Sequence, residues 1–153
     1  GESEYADQFD DAVNEVINKC GVKDLIDRNF NTLSGGEQRR IHFARTLLQL
    51  WRPSNSNDPK YLFLDEPTAN LDLTYEIKLL NIVKEVAQEG AGVMLVLHDL
   101  NLAAKFSDKV AILKGGSLID IGLPKDVLKS ALLSDIYEIE VEVKNDPLLI
   151  TYY

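Results

Sequence analysis

No G-x-x-x-x-G-K-[ST] segment occurs in the 153 residues. The chain therefore lacks the glycine-rich loop whose backbone N–H groups and lysine cradle nucleotide phosphates. Cysteine is almost absent: Cys20 stands alone, which rules out an internal disulfide and suits a reducing compartment. It falls on the apolar side of a helical pattern and reads as a small core residue, not a nucleophile. No apolar run approaches the roughly 18 residues that a membrane-spanning helix needs, so membrane association must come through a partner. Gly1-Glu2-Ser3-Glu4 offers neither a basic n-region nor an apolar h-region and does not read as a signal peptide. Positive charge is short: 16 Lys and Arg against 25 Asp and Glu give a net charge of −9. A general nucleic-acid binder needs a basic face to displace counterions, so that class is disfavoured and the acidity reads as a solvated surface. There is no internal repeat and no low-complexity segment.

What is present is the balance of a globular protein, 45% hydrophobic and 27% charged, long enough for one domain or a pair of subdomains. Phe9, Val13, Val16, Ile17 and Cys20 recur at helical spacing, and Gly21 ends that helix. A short helical piece over 23–27 and a loop at 29–32 lead to a second helix from about Gly35 to Leu50. Its expected buried stripe is Ile41, Ala44, Leu47, Leu48 and Trp51. The polar run from Pro53 to Pro59 is the clearest boundary. Beyond it, apolar runs at 61–64 and 93–97 alternate with helices over 74–88 and 100–106. Ile77, Leu80, Val83 and Ala87 are the expected inner positions of the first of those helices. A Gly115-Gly116 hairpin turn separates strands at 110–113 and 117–121. Two short helices over 124–137 and two strands over 138–153 complete the chain. Continuous apolar strands alternating with helices predict an α/β fold with a parallel sheet covered on both faces.

Three segments carry chemistry. In Leu33-Ser34-Gly35-Gly36-Glu37-Gln38-Arg39-Arg40, Ser34 and Glu37 have the spacing of a capping box. Gly35 and Gly36 then leave backbone N–H groups open at a helix N-terminus, where anions bind. In Tyr61-Leu62-Phe63-Leu64-Asp65-Glu66-Pro67-Thr68, a strand ends in two carboxylates at the edge where α/β sheets bind ligands. Asp65 suits Mg²⁺ held through water, and Glu66 suits orienting or deprotonating an attacking water. In Val96-Leu97-His98-Asp99, His98 follows a second strand and is placed to donate to a phosphate oxygen. His42 has no such placement and reads as an incidental helix residue.

These segments, in this order, resemble the ATP-binding subunits of ABC transporters over essentially the whole chain. The family's signature matches Leu33 to Gln38, its Walker B matches Tyr61 to Glu66, its D-loop matches Ala69-Asn70-Leu71-Asp72 and its switch histidine matches His98. The resemblance implies the C-terminal part of a P-loop NTPase domain, a parallel sheet with flanking helices plus part of the helical signature subdomain. Residues 1–55 would belong to that helical subdomain and 56–153 to the second half of the RecA-like core. It further implies two subunits sandwiching ATP. Ser34, Gly35, Gly36 and Gln38 would contact nucleotide in trans, Glu66 and His98 would act as catalytic groups, Asp65 would hold Mg²⁺, and Asp72 would communicate across the dimer. His98-Asp99-Leu100-Asn101-Leu102-Ala103-Ala104 and Gly122-x-Pro124-x-Asp126-Val127-Leu128 look like the iron-siderophore, haem and cobalamin importers. Leu50-Trp51-x-Pro53 and the closing Pro147-Leu148-Leu149-Ile150 look like the haem importers within that group. A transmembrane permease, a substrate-binding protein acting indirectly, and the cytoplasmic face of a bacterial inner membrane are implied with it.

The departure from the family is the missing first half, with its phosphate loop, adenine-stacking aromatic and glutamine loop. The chain by itself is therefore expected not to hydrolyse ATP at a useful rate, and its sheet to expose an unpaired edge. A truncated, inactive binding or regulatory module is the rival reading. The DNA-repair and chromosome-associated ABC ATPases are disfavoured because their signature follows a long coiled coil. Here only about thirty residues precede Leu33 and they carry no heptads. The translation-factor ABC proteins are disfavoured by the Leu100–Ala104 segment.

Overall fold

A computed structural model describes residues 2–53 and 56–153, with side chains from residue 4 onward. Residues 54 and 55, in the polar run, and Gly1, in the N-terminal tetrapeptide, lie outside the described residues. The chain divides into two compact units, Gly1–Val96 and Leu97–Tyr153.

In the first unit α1 (Glu2–Cys20) packs against α2 (Gly35–Leu48). Gly21 stops α1 because the chain turns there at φ +62, a conformation that a side chain resists. Trp51, just beyond α2, meets the rings of Tyr5 and Phe9 edge-on at 5.0 and 5.2 Å, closing the far end of the helix pair. The short helical piece expected at 23–27 is a 3-10 turn over Lys23–Leu25. The inner stripe of α2 is Phe43, Ala44 and Leu47, whereas Ile41, Leu48 and Trp51 are only half-buried. Ala44 and Leu47 are buried as expected, and Phe43, a large apolar side chain, joins them in place of Ile41, Leu48 and Trp51.

β1 (Tyr61–Asp65) and β2 (Gly92–Val96) pair in parallel, Tyr61 opposite Gly92 and Asp65 opposite Val96. α3 (Leu73–Gln88) connects them. It buries Tyr75, Leu79, Leu80, Ile82 and Val83, while Ile77 and Ala87 are half-buried. The Tyr75 hydroxyl donates to the Cys20 carbonyl at 2.8 Å, tying α3 to the end of α1. Lys19 adds ion pairs to Glu15, Glu85 and Glu89.

Coverage on both faces of this sheet does not hold. Side chains alternate along a strand, and Leu62 is buried while Tyr61, Phe63, Met94 and Val96 share an open face, Phe63 being 70% exposed. An apolar run specifies that a strand can be buried twice over, and nothing among the described residues of this unit packs on the second face. Each described sheet has two strands, so each strand keeps an unpaired edge.

The second unit opens with α4 (Leu100–Phe106). The hairpin of β3 (Val110–Lys114) and β4 (Ser117–Gly122) follows, turning at Gly115 and Gly116 with φ +57 and +77, both left-handed as a type I′ turn requires. Helices α5 (Pro124–Val127) and α6 (Ser130–Tyr137) lead to the antiparallel pair β5 (Val141–Lys144) and β6 (Leu149–Tyr152). The parallel sheet of the expectation is thus one parallel pair, with antiparallel hairpins after it. Leu100, Ile112, Val127, Leu128, Leu133, Val141 and Ile150 form a contiguous core. Asn101 closes it, its amide donating to the Ile150 carbonyl at 3.1 Å and its oxygen accepting from the Ile150 N–H at 2.8 Å.

Candidate functional site

The N-terminus of α2 is built as its sequence dictates. Ser34 has extended dihedrals, its Oγ accepts from the Glu37 N–H at 3.3 Å, and Glu37 Oε2 accepts from the Ser34 N–H at 2.7 Å. This is the reciprocal capping box. The Ser34 N–H holds the Glu37 carboxyl below the usual range, with the Ser34 hydroxyl and Arg28 assisting. A lowered folded value means the cap is strengthened above the ordinary glutamate range and weakened as pH falls through it. The Arg28 guanidinium donates to Glu37 Oε1 at 2.8 Å. The Gln38 amide donates to the carbonyls of Phe30 and Leu33 at 3.2 and 3.3 Å, clamping the preceding loop. A Cβ on Gly35 or Gly36 would meet nothing within 4 Å, so both residues face open space. Their N–H groups precede the first internal helix bond, from Gln38 to the Ser34 carbonyl.

Asp65 ends β1 with its side chain exposed. Glu66 follows at φ +46, a left-handed conformation unusual for a long side chain. Its backbone is held from several sides. The N–H donates to Val96 at 3.1 Å, and the carbonyl accepts from the Ala69 N–H at 3.2 Å and from Arg39 Nη1 at 3.3 Å. Asp72 caps α3, Oδ1 accepting from the Tyr75 N–H at 2.9 Å, and Oδ2 lies 3.5 Å from Arg40 Nη2. The Arg40 guanidinium stacks 4.4 Å over the Tyr75 ring. Burial pushes the Tyr75 hydroxyl far above its usual range, and the Cys20 thiol up to about 11. Cys20 is fully buried and is the core residue expected.

Ser34, Gly35, Gly36, Gln38, Asp65, Glu66 and Asp72 thus lie in the first unit. His98 belongs to the second, exposed and next to Asp99, which caps α4 through Asn101 and Leu102 at 2.7 and 3.0 Å. His42 packs edge-on against Phe30 at 5.0 Å. Among the described residues no group of three His, Cys, Asp or Glu side chains converges as a metal site. A shallow depression lined by Ser130, Glu140, Val141, Glu142 and Tyr153 contains none of these residues. Two residues had no assigned part in the sequence reading, Arg39 and Arg40. The signal for them is a pair of consecutive arginines in a chain short of positive charge, but their partners lie 27 and 32 residues away and no spacing rule connects them.

Residues 2–69 match the family model described as ABC transporter. The chain is 41% identical over 138 residues to the Hemin import ATP-binding protein HmuV of Rhodopseudomonas palustris, covering 90% of this chain and 50% of that protein. It is 42% identical over 135 residues to the protein of that name from Gloeobacter violaceus, covering 88% and 49%. The chain therefore spans about half the length of the curated relatives it matches. Among solved structures, a transporter described as of the metal-chelate ABC type, in an inward-facing conformation, superposes with a TM-score of 0.72 at 21% identity. That match covers 94% of this chain and 55% of the other, and it shows a shared fold. No described helix is long and apolar enough to cross a membrane.

Proposed function

We propose that this chain, which belongs to the ABC transporter ATP-binding family, is the half of an import ATPase that acts on the γ-phosphate. The observation that carries this reading is the held, left-handed Glu66 directly after the exposed Asp65 at the end of a parallel strand. Glu66 accepts a proton from the attacking water as its oxygen bonds to the γ-phosphorus. The bond from that phosphorus to the β,γ-bridging oxygen breaks, and ADP and phosphate leave. His98 donates to a γ-phosphate oxygen. Ser34, Gly35 and Gly36 meet the phosphates of a nucleotide held by a second copy, at the open end of α2. Gln38 keeps the loop before them in place, and Asp72 sets the start of α3 near the dimer boundary.

Asp65, an exposed oxygen donor, would hold Mg²⁺ through the ion's water shell. The ion neutralises phosphate charge when bound. The subunit pairs with a second copy and docks on a transmembrane permease at the cytoplasmic face of the membrane. Its cargo is haem or another iron chelate, by analogy with relatives named for hemin import. The ATPase subunit does not touch that cargo.

The rival reading, an inactive regulatory module derived from such an ATPase, is favoured by the absence of G-x-x-x-x-G-K-[ST] in these residues. ATP turnover by the complete subunit and by its Glu66→Gln variant separates the two. Loss of a general base predicts a fall of about 100-fold or more. The 153-residue chain alone is expected to show no turnover above that variant. Undiminished turnover in Glu66→Gln would remove the catalytic reading.

A further inference from the structure

We propose that Arg39 and Arg40 are positioning residues, tying the glycine-opened end of α2 to the Glu66–Asp72 loop. Contact at the helix end is thereby transmitted to the Glu66 carboxylate. This coupling presupposes the ATPase reading above and names a control of that same site.

Glu66 at φ +46 occupies a left-handed conformation that is strained for a long side chain and persists only where its surroundings hold it. Two of its backbone tethers are the Val96 carbonyl at the end of β2 and the Ala69 N–H inside the same loop. The third, Arg39 Nη1 on the Glu66 carbonyl at 3.3 Å, comes from α2. At the other end of the loop Arg40 lies 3.5 Å from Asp72, its guanidinium 4.4 Å above the Tyr75 ring. Its Nε is buried without a hydrogen-bond partner, so ring and carboxylate set its place. Tyr75 is in turn fixed to α1 through Cys20. The two arginines therefore grip both ends of one loop from adjacent positions on one helix.

A helix rises 1.5 Å per residue, which puts Arg39 about 7.5 Å along the axis from Ser34, close enough for a rigid turn and a half to carry a displacement. The capping box and the Arg28–Glu37 pair stiffen the near end. Releasing the Glu66 carbonyl lets its backbone relax and shifts the carboxylate. Misplacement of a catalytic group by about 1 Å lowers turnover on the order of 10²-fold, so partial release should cost about tenfold.

The test is steady-state ATP turnover of the complete subunit as wild type, Arg39→Ala, Arg39→Lys, Arg39→Met and Glu66→Gln. Arg39→Ala is expected to lower kcat about tenfold with KM for ATP within about twofold. Arg39→Lys, which restores a donor, should recover part of that loss, and Arg39→Met, which keeps only the stem, should not. Wild-type kcat in either Arg39→Ala or Arg39→Met overturns the coupling. So does a loss that Arg39→Lys leaves untouched while thermal stability falls in step, since that is a purely structural role. If Glu66→Gln keeps full turnover, the ATPase reading fails instead. If Glu66→Gln is inactive and Arg39→Met is not, the coupling fails alone.

Discussion

The unit from Leu97 to Tyr153 closes its own core: Leu128, Leu133, Val127 and Val141 are nearly inaccessible, and Asn101 seals strand to helix with a reciprocal pair of hydrogen bonds. The unit from Gly1 to Val96 is held differently. It has an apolar core of its own, with Val22, Leu62, Leu79 and Leu80 at 2% exposure or less, and adds to it long-range polar and aromatic ties, Tyr75 to Cys20, Arg39 to Glu66, Arg40 to Asp72 and Trp51 to Tyr5 and Phe9. Its sheet meanwhile leaves one apolar face open. Seven of the eight candidate site residues lie in the second kind of construction. Apolar packing is non-directional and suits a unit that needs only to stay folded. Hydrogen bonds fix direction, and a loop that must hold a carboxylate in a left-handed turn needs directional restraint.

Leu133→Ala tests the apolar side of that contrast and should have the largest effect on stability. Leu133 is 0% exposed, and emptying such a site costs about 2–5 kcal/mol. Denaturant unfolding and loss of amide protection in β5 and β6 would record it. A cost under about 1 kcal/mol would mean the core collapses around the gap.

Tyr75→Phe probes the polar ties. It removes the donor to the Cys20 carbonyl and leaves that acceptor buried, at an expected cost of about 1–3 kcal/mol. Equilibrium unfolding measures it, and a neutral result would move the joint between α1 and α3 into the class of dispensable contacts. The smallest effect belongs to Phe63→Ser with Met94→Ser on the open sheet face. Exposed positions of this kind change stability by within about 0.5 kcal/mol. Light scattering should nonetheless show less self-association than the parent chain, because the substitution removes apolar surface that strands can share. Greater loss of stability would show that the face is covered in solution.

Element order was legible because glycine punctuates the chain: Gly21 ends α1 and the Gly115-Gly116 turn joins β3 to β4. Ser34 and Glu37 announced their capping box at a spacing that has few other uses. Burial was less legible. The run Tyr61–Leu64 reads as doubly buried, yet Tyr61 and Phe63 face out, since a strand's own residues do not state what packs on it from elsewhere. The inner stripe of α2 was legible only in part for a related reason: Ala44 and Leu47 are buried as expected, but several apolar residues compete for the remaining place, and Phe43 takes it. The grip of Arg39 on the Glu66 carbonyl was not legible at all, because a backbone acceptor leaves no trace in side-chain spacing.

Trp51 is the one tryptophan in the chain, wedged edge-on between Tyr5 and Phe9 at the end of α2. Ultraviolet emission excited at the red edge of the indole band therefore arises at a single joint, where α1 meets the helix that carries Ser34 and Arg39. Any rocking of that helix against α1 changes the solvent around one indole and so its emission maximum. This chain thus contains a label-free optical gauge of the joint between α1 and α2, readable in the stopped-flow time range.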